Sequence, residues 1–494
     1  MFLQQPSSRN GSRRRYLLVS IVLTAIALFV VTLVRDTEVS AKDSNNSDLF
    51  AELKIFTDVL AIVQRDYVKP VDNKKLVEGA IKGMLATLDP HSGYLDPDFY
   101  KDLQVQTKGE FGGLGIEITI KDGLLVVVSP MEGSPAEAAG IRAGDAIVKI
   151  DGKFTKDFSL VDAVKKMRGP KGSPIVLSIY RKGNSDLLDI TVVRDNIQVK
   201  SVKSRYLGNG IGYVRVSQFM EKTEDDLKAA LKGLVRKNDG NELSGLVLDL
   251  RNNPGGLLTQ AVKVSDLFLS DGLIVYTDGR VESQKQKFYA HARGTEPNYP
   301  LAVIINGGSA SASEIVAGAL QDAARGIIVG TQSFGKGSVQ TITPLENGGA
   351  LTLTTALYYT KSGRSIQLTG VKPDVEVEAP VDTAAQQAAE KEEKKEPLQE
   401  RIREGDLPGA IQNPNIKNGS DSTTDVIRQI NQTPAVHPEV TAIDPEKEDI
   451  GSWMKRDPQF AKAVDLVKNF DVLKKPAAPT AQHSSAPAPE QHAL

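Results

Sequence analysis

The sequence predicts a chain of several domains and mixed class, α+β joined to α/β. It reads as an N-terminal membrane helix, a helical segment, a small β module, an α/β core and a low-complexity C-terminal region. Three observations carry this. A length of 494 residues is enough for about three domains. Over residues 104–195 glycine becomes frequent and the apolar runs turn short and β-branched, where the preceding stretch keeps helical spacing. Over residues 196–380 strand-like and helix-like segments alternate, as βαβ units with parallel pairing require.

Residues 1–15 are a basic cytoplasmic segment with Arg9, Arg13, Arg14 and Arg15. Tyr16 to Val34 is an uncharged run of 19 residues, long enough to span a bilayer as a helix. The basic flank stays in the cytoplasm and places everything after Val34 outside. The run is a signal anchor or a signal peptide. Val39-Ser40-Ala41 would serve as a cleavage site, while the length of the run exceeds the usual signal core and favours an anchor. The expected location is therefore extracytoplasmic, in the periplasm or cell envelope, tethered to the membrane by residues 16–34 or secreted after cleavage. Residues 35–48 are a polar linker. Residues 49–103 are helical, from Leu53, Phe56, Val59, Leu60 and Val63 and again from Leu76, Ala80, Ile81, Met84 and Leu85, ending at Leu88-Asp89-Pro90. In 104–195 the strand runs are GIEITI, LLVVVS, AIVKI, PIVLSIY and DITVV. In 196–380 strands at 245–250, 301–305 and 327–329 alternate with helices at 257–269 and 311–323. Residues 381–450 combine a charge run with scattered Asn, Gly, Ser and Pro and read as a flexible linker. Residues 451–475 hold a C-terminal helix over 457–473, which packs on the core or joins a second copy. Residues 476–494 are a Pro/Ala-rich disordered tail.

Composition removes whole classes of chemistry. There is no cysteine, hence no disulfide framework, thiolate metal site or cysteine nucleophile. The net charge of −2 does not suit a nucleic-acid-coating protein. Five histidines, His91, His291, His437, His483 and His492, form no HExxH motif, and no metal or other cofactor is expected. His91 follows Leu88-Asp89-Pro90 and belongs to a turn. Lys336 lies in GTQSFGKGSVQ, which imitates two other motifs. As a phosphate-binding loop it lacks the Ser or Thr after the lysine and leads into a strand. As an SxxK acyl-enzyme motif, Ser333 and Lys336 would need one helical turn, yet Gly335 and Gly337 each cost a helix about 1 kcal/mol. With no suitable histidine, a serine enzyme here needs another base, and lysine can take that place.

Two glycine-rich turns stand out. Asn306 to Glu314 links a buried strand to a helix, where free N–H groups and the positive dipole end stabilise a developing oxyanion. Arg251-Asn252-Asn253-Pro254-Gly255-Gly256 follows another strand and could supply a further N–H. Each alone is compatible with a plain βα connection.

Together these residues resemble the C-terminal processing (tail-specific) serine proteases, which pair a PDZ domain with a crotonase-like α/β core and a serine–lysine site. The resemblance spans roughly residues 45–380. It rests on Gly308 to Glu314, Phe334 to Gln340 and Asp249 to Gly256, in family order. It implies Ser311 as nucleophile, Lys336 as general base 25 residues on, and Gln340 orienting the lysine. It implies an oxyanion hole from the Ala312 N–H with one from Gly255 or Gly256, and leaves Ser309 and Ser313 as turn and capping residues. Such a lysine must be buried, because at its usual pKa near 10.4 it holds its proton at pH 7.

Residues 104–195 resemble a PDZ domain in Phe111 to Ile116 and in Ser134-Pro135-Ala136 through Ile147. By that resemblance Gly113, Leu114, Gly115 and Ile116 bind a peptide: backbone N–H groups take its terminal carboxylate, and the strand from Ile116 pairs with its chain. Arg168 either senses the bound state or ends a helix. The resemblance implies an endopeptidase for proteins with free, apolar C-termini. A catalytically silent PDZ scaffold in the cell envelope is the alternative. Partners are protein or peptide substrates and the membrane, with room for a homo-oligomer and an adaptor protein, and no nucleic acid.

Overall fold

The computed structural model describes residues 44–121, 123–156, 158–184, 186–378, 402–415 and 448–470. The expected membrane run, Tyr16 to Val34, and the tail from 476 lie outside them. Among the described residues no helix is long and apolar enough to cross a membrane.

The chain divides after Ile81 into two units. In the first, α1 (Ser44–Asp66) carries Leu53, Phe56, Val59 and Ile62 exposed at helical spacing. Helix α2 (Asn73–Ala86) begins in this unit and ends in the next.

The second unit opens with β1 (Gly93–Leu95) and α3 (Pro97–Lys108). Asp96 caps α3 by accepting the Phe99 N–H at 3.0 Å, Pro97 presets the first turn, and Gly109 ends the helix in the left-handed region. A β module follows: β2 (Glu110–Gly113), β3 (Ile116–Lys121), β4 (Leu124–Pro130), the short α4 (Pro135–Ala138), β5 (Ala146–Ile150), β6 (Lys153–Phe154), α5 (Leu160–Met167), β7 (Pro174–Tyr180), β8 (Leu188–Val193) and β9 (Asp195–Gln198). Its sheet runs β3-β4-β5-β7-β8, with β6 on β5, while β2 pairs with β9. Strand β3 is therefore an edge, open to an added strand. Leu125, Val127, Ile147, Ile150, Ile175, Leu177 and Ile179 close the module's core with Ala163 and Met167 of α5.

The larger core is built on β10 (Val202–Gly208), β11 (Ile211–Val216), α6 (Thr223–Lys237), β12 (Gly245–Asp249), α7 (Leu258–Asp266), β13 (Leu273–Gly279), β14 (Gln286–Tyr289), β15 (Leu301–Ile305), α8 (Ala312–Asp322), β16 (Ile327–Gly330), β17 (Ser338–Pro344), β18 (Ala350–Thr360) and β19 (Val375–Glu376). One sheet runs β10-β11-β12-β15-β16-β19, antiparallel in its first pair and parallel thereafter. Successive strand residues alternate between its faces. Leu246, Leu248, Val303 and Ile305 meet α6, α7 and α8, whereas Tyr213, Val247, Ala302 and Ile304 meet α9 (Ile450–Arg456) and α10 (Pro458–Lys468). A second sheet, β1-β18-β13-β14 with β17 on β18, carries the other wall of the site.

The C-terminal helix expected over 457–473 is thus a core element, with Trp453, Phe460, Val464 and Val467 buried on the sheet. Residues 402–415 fall in the stretch expected to be a flexible linker, yet they pack: Glu404 is fully buried, and Asn413 donates to the Gln367 carbonyl at 2.6 Å.

Candidate active site

The parallel strands end in the two turns singled out in the sequence. After β15 the chain runs through Asn306–Ala310 to Ser311, which caps α8 at φ 54°, ψ −114°. A positive φ on a non-glycine residue is strained, and such strain is held where surrounding contacts over-determine it. After β12, Gly255 and Gly256 bring the second turn against the first, at φ 104° and 136°. A Cβ on Gly255 would lie 2.9 Å from Ser311 Cβ and 3.0 Å from the Ala312 nitrogen, and one on Gly256 would lie 2.2 Å from the Phe219 carbonyl oxygen. Side chains bolt the turns together. Ser309 Oγ donates to the Leu250 carbonyl, Ser313 Oγ to those of Asn253 and Ala310, and Asn306 exchanges two hydrogen bonds with Asn252. Ser309 and Ser313 are thus turn fasteners.

Lys336 arrives from the loop between β16 and β17. One fully buried carboxylate joins this loop to the Ser311 turn. Glu314 accepts the N–H of Ser311 at 2.7 Å, of Gly335 at 2.8 Å and of Lys336 at 3.0 Å, and the Ser333 hydroxyl at 2.5 Å. Burial pushes its carboxyl up to about 7 while the four donors pull it down. From β18 the buried Tyr358 hydroxyl bridges the Ser311 and Lys336 carbonyls. Ser333, the serine of the imitated SxxK motif, spends its hydroxyl on Glu314 and accepts the Val371 N–H.

The Lys336 amine is held below the usual lysine range by burial, against the opposing pull of Glu404, Asp89 and Glu314. Among the described residues no hydrogen bond links it to Ser311. Gln340 has no hydrogen bond to the lysine among the described residues. Its amide donates to Ser338 Oγ at 3.0 Å and Thr354 Oγ1 at 3.3 Å. The β17–β18 register shifts between Val339 and Gln340, which turns this side chain toward β18.

The Ala312 N–H finds no acceptor among the described residues. The Gly255 N–H donates to Asn253 Oδ1 at 2.9 Å, which leaves the Gly256 N–H as the uncommitted one of the pair. Beside this turn the buried Asp249 and Arg251 pair at 2.7 Å, and Arg251 also pairs at 2.8 Å with Asp457 ahead of α10. The sequence reading gave no role to Glu314, Tyr358 or Asp457. Glu314 lies inside the quoted motif, three residues after Ser311, but nothing local shows that its carboxylate reaches a loop some twenty residues on.

In the β module, Gly113 ends β2, Leu114 is buried, Gly115 takes φ 72° and Ile116 starts the edge strand β3. The Leu114 and Gly115 N–H groups have no acceptor among the described residues. Arg168 ends α5, pairs with Asp102 of α3 and stacks on Phe111 at 5.0 Å. Lys165, one turn earlier, pairs with Asp98 of α3 at 2.7 Å.

Three family models match the chain: peptidase family S41 over residues 210–377, a PDZ domain over 126–181, and the N-terminal domain of the activating protease CtpB over 21–99. The carboxy-terminal-processing protease of Bartonella bacilliformis is 54% identical over 342 residues, 69% of this chain and 79% of that one. The carboxy-terminal processing protease CtpA of Bacillus subtilis is 35% identical over 369 residues, 74% of this chain and 76% of its own. Among solved structures, a photosystem II D1 C-terminal processing protease is 33% identical, with a TM-score of 0.39, over 65% of this chain and 86% of that one.

Proposed function

This chain belongs to the PDZ-bearing C-terminal processing serine proteases of peptidase family S41, and from that premise we propose that it is an exported endopeptidase that selects apolar protein C-termini and cuts by a serine–lysine mechanism. The observation that carries the mechanism is Glu314, whose single carboxylate holds the backbone of both Ser311 and Lys336.

The Ser311 hydroxyl attacks a peptide carbonyl carbon as its proton passes to Lys336 Nζ. The oxyanion that forms is received by the Ala312 N–H and one from Gly255-Gly256. The C–N bond then breaks, and the lysine returns its proton to the leaving amine. Water, deprotonated by the same amine, cleaves the acyl ester and restores the serine. Serine–lysine contacts of this kind commonly close only with substrate in place.

Tail selection is supported by the uncommitted N–H groups of Leu114 and Gly115 beside edge strand β3: the former would hold a terminal carboxylate, the latter the peptide chain. Export rests on the uncharged run at 16–34 and its basic flank. In this reading the run tethers the enzyme at the outer face of the cytoplasmic membrane.

The test is proteolysis of a peptide ending in an apolar residue. Ser311→Ala and Lys336→Ala should each remove cleavage while leaving peptide binding intact, and amidating the substrate's C-terminus should slow it. Full cleavage by Ser311→Ala would sink the mechanism. An unchanged rate on the amidated peptide would sink tail selection.

A further inference from the structure

Glu404 lies on residues 402–415, a segment separate in sequence from both catalytic turns, and its side chain is fully buried beside the lysine loop. Three contacts fix it there. Its N–H donates to the Phe334 carbonyl at 3.3 Å. Its carboxylate takes both oxygens to His91 Nε2, each at 2.9 Å. The Gln367 side-chain amide donates to Glu404 Oε1 at 3.0 Å while its own Oε1 accepts the Gly337 N–H at 2.8 Å. The lysine loop is thus tied to this one residue on both sides of Lys336, at Phe334 through the Glu404 backbone N–H and at Gly337 through Gln367 and the carboxylate. The segment is anchored in turn: the Ile411 carbonyl accepts from Gln367 at 3.1 Å, and Asn413 donates to the Gln367 carbonyl.

We propose that Glu404, delivered by residues 402–415, is a positioning residue for Lys336: it clamps the lysine loop on both sides and places a buried carboxylate beside that loop. A buried carboxylate with two neutral or ionisable donors keeps a field in a low-dielectric site, where one charge acts strongly on the next. The groups whose charge acts on Lys336 are Glu404, Asp89 and Glu314; His91 bonds to Glu404, and the Tyr358 hydroxyl bonds to the lysine's own carbonyl. Asp89 is held in place by the His91 and Ser92 N–H groups and by Thr354. Glu404 is first among the groups that oppose burial and draw the amine upward. Its charge keeps the lysine's proton affinity high enough to return a proton to the leaving amine, and the loop ties keep Nζ aimed.

The proposal rests on Lys336 being the base, and the two fail differently. If Lys336→Ala keeps its activity, the base assignment falls; if Lys336→Ala is inactive and Glu404 proves indifferent, only this proposal falls. The experiment is the pH profile of kcat/KM for the full chain and for Glu404→Gln and Glu404→Asp. Gln removes the charge and keeps the shape, while Asp retracts the charge by one methylene. The base works when unprotonated, so removing a nearby negative charge should move the acid limb to lower pH. The shift should be about half a unit or more for Gln and less for Asp, with kcat down about tenfold in Gln from loosened aim. Because Glu314 also titrates in this window, the same variants in a Ser311→Ala background are treated with an acylating reagent across pH. Mass spectrometry of the adduct on Lys336 then reads the amine itself. An acid limb and an acylation midpoint both unmoved in every folded variant would overturn the proposal. So would a failure of both variants to fold, which would make Glu404 a structural residue only.

Discussion

Around Glu314 the protease core buries charge and saturates it: one carboxylate takes four donors, and Asp249, Arg251 and Asp457 form a second set beside the Gly255-Gly256 turn. In the PDZ module the buried hydrophobic cluster is aliphatic apart from Met167, and its one buried carboxylate among the described residues, Asp145, pairs with Arg181 at 2.7 Å. There the main-chain N–H groups of Leu114 and Gly115 have no acceptor among the described residues, and Lys165 and Asp98, which join the module to α3, are exposed. One region gathers its polar contacts on buried side chains, and the other leaves main-chain N–H groups uncommitted beside a glycine turn. The difference teaches where substitutions should hurt. Losing one buried partner strands several others, whereas losing an exposed ion pair strands nothing.

The largest effect should come from Glu314→Gln. The new amide turns an N–H₂ toward one pair of donors, leaving either the Ser311 and Lys336 N–H groups or the Gly335 N–H and Ser333 hydroxyl short of an acceptor. A fall in kcat/KM of about a hundredfold or more is expected, with PDZ–peptide affinity unchanged; a parallel loss of peptide affinity would break the comparison. The wild-type residue also carries a pH signature. Its folded carboxyl sits at about 7, above the ordinary 4.5. Its stabilising contribution is therefore complete below about 4.5 and lost as pH rises through about 7, a change of about 3 kcal/mol. Urea midpoints at pH 5 and pH 8 should converge in Glu314→Gln relative to wild type.

Next in size is Asp457→Ala. It removes one of two carboxylates from the buried Arg251 and the side-chain cap on the Phe460 N–H at 3.0 Å. A loss of about 3 kcal/mol in urea unfolding is expected, with the module's own peptide binding untouched. Gly115→Ala reverses the pattern. At φ 72° an added Cβ would sit 2.4 Å from Ser134 Cβ. Peptide affinity should fall about fivefold to tenfold, a cost of about 1 kcal/mol. Cleavage of an amidated peptide, which bypasses the carboxylate loop, should hold.

The same contrast explains what could be read from the sequence. The strand at 245–250 and that at 301–305 were legible because a strand buried on both faces must be apolar throughout, and glycine turns bound them. The glycine loop of the module was legible for a similar reason, since its function lies in the backbone. Strand β17 was legible as the strand that follows the lysine loop, whereas β18 was harder, because Thr alternates with apolar residues along a strand that is only partly covered. Glu404 was not legible at all. Its neighbours are charged and glycine-rich, and the groups that make its burial tolerable, His91 and Gln367, lie far away in the chain. The bonds of Gln340 to Ser338 and Thr354 were not legible either, since they depend on the β17–β18 register, which shifts between Val339 and Gln340.

The smallest expected effect is the one that probes whether the two regions speak to each other. Lys165 and Asp98 are both mostly exposed, at 57% and 72%, so Lys165→Ala should leave the melting temperature where it was. Yet α3 is joined on one side to α5 of the module through Lys165 and Arg168, and on the other follows β1, which pairs with β18, the strand that carries Tyr358. If that chain of contacts couples peptide binding to the site, the ratio of rates on free and amidated peptides should fall about twofold in Lys165→Ala. Raising salt, which screens exposed charges over about 10 Å at 0.1 M, should bring wild type toward the variant. A ratio that stays fixed under both changes would mean that α3 merely connects the two regions, and that Arg168 ends its helix without sensing anything.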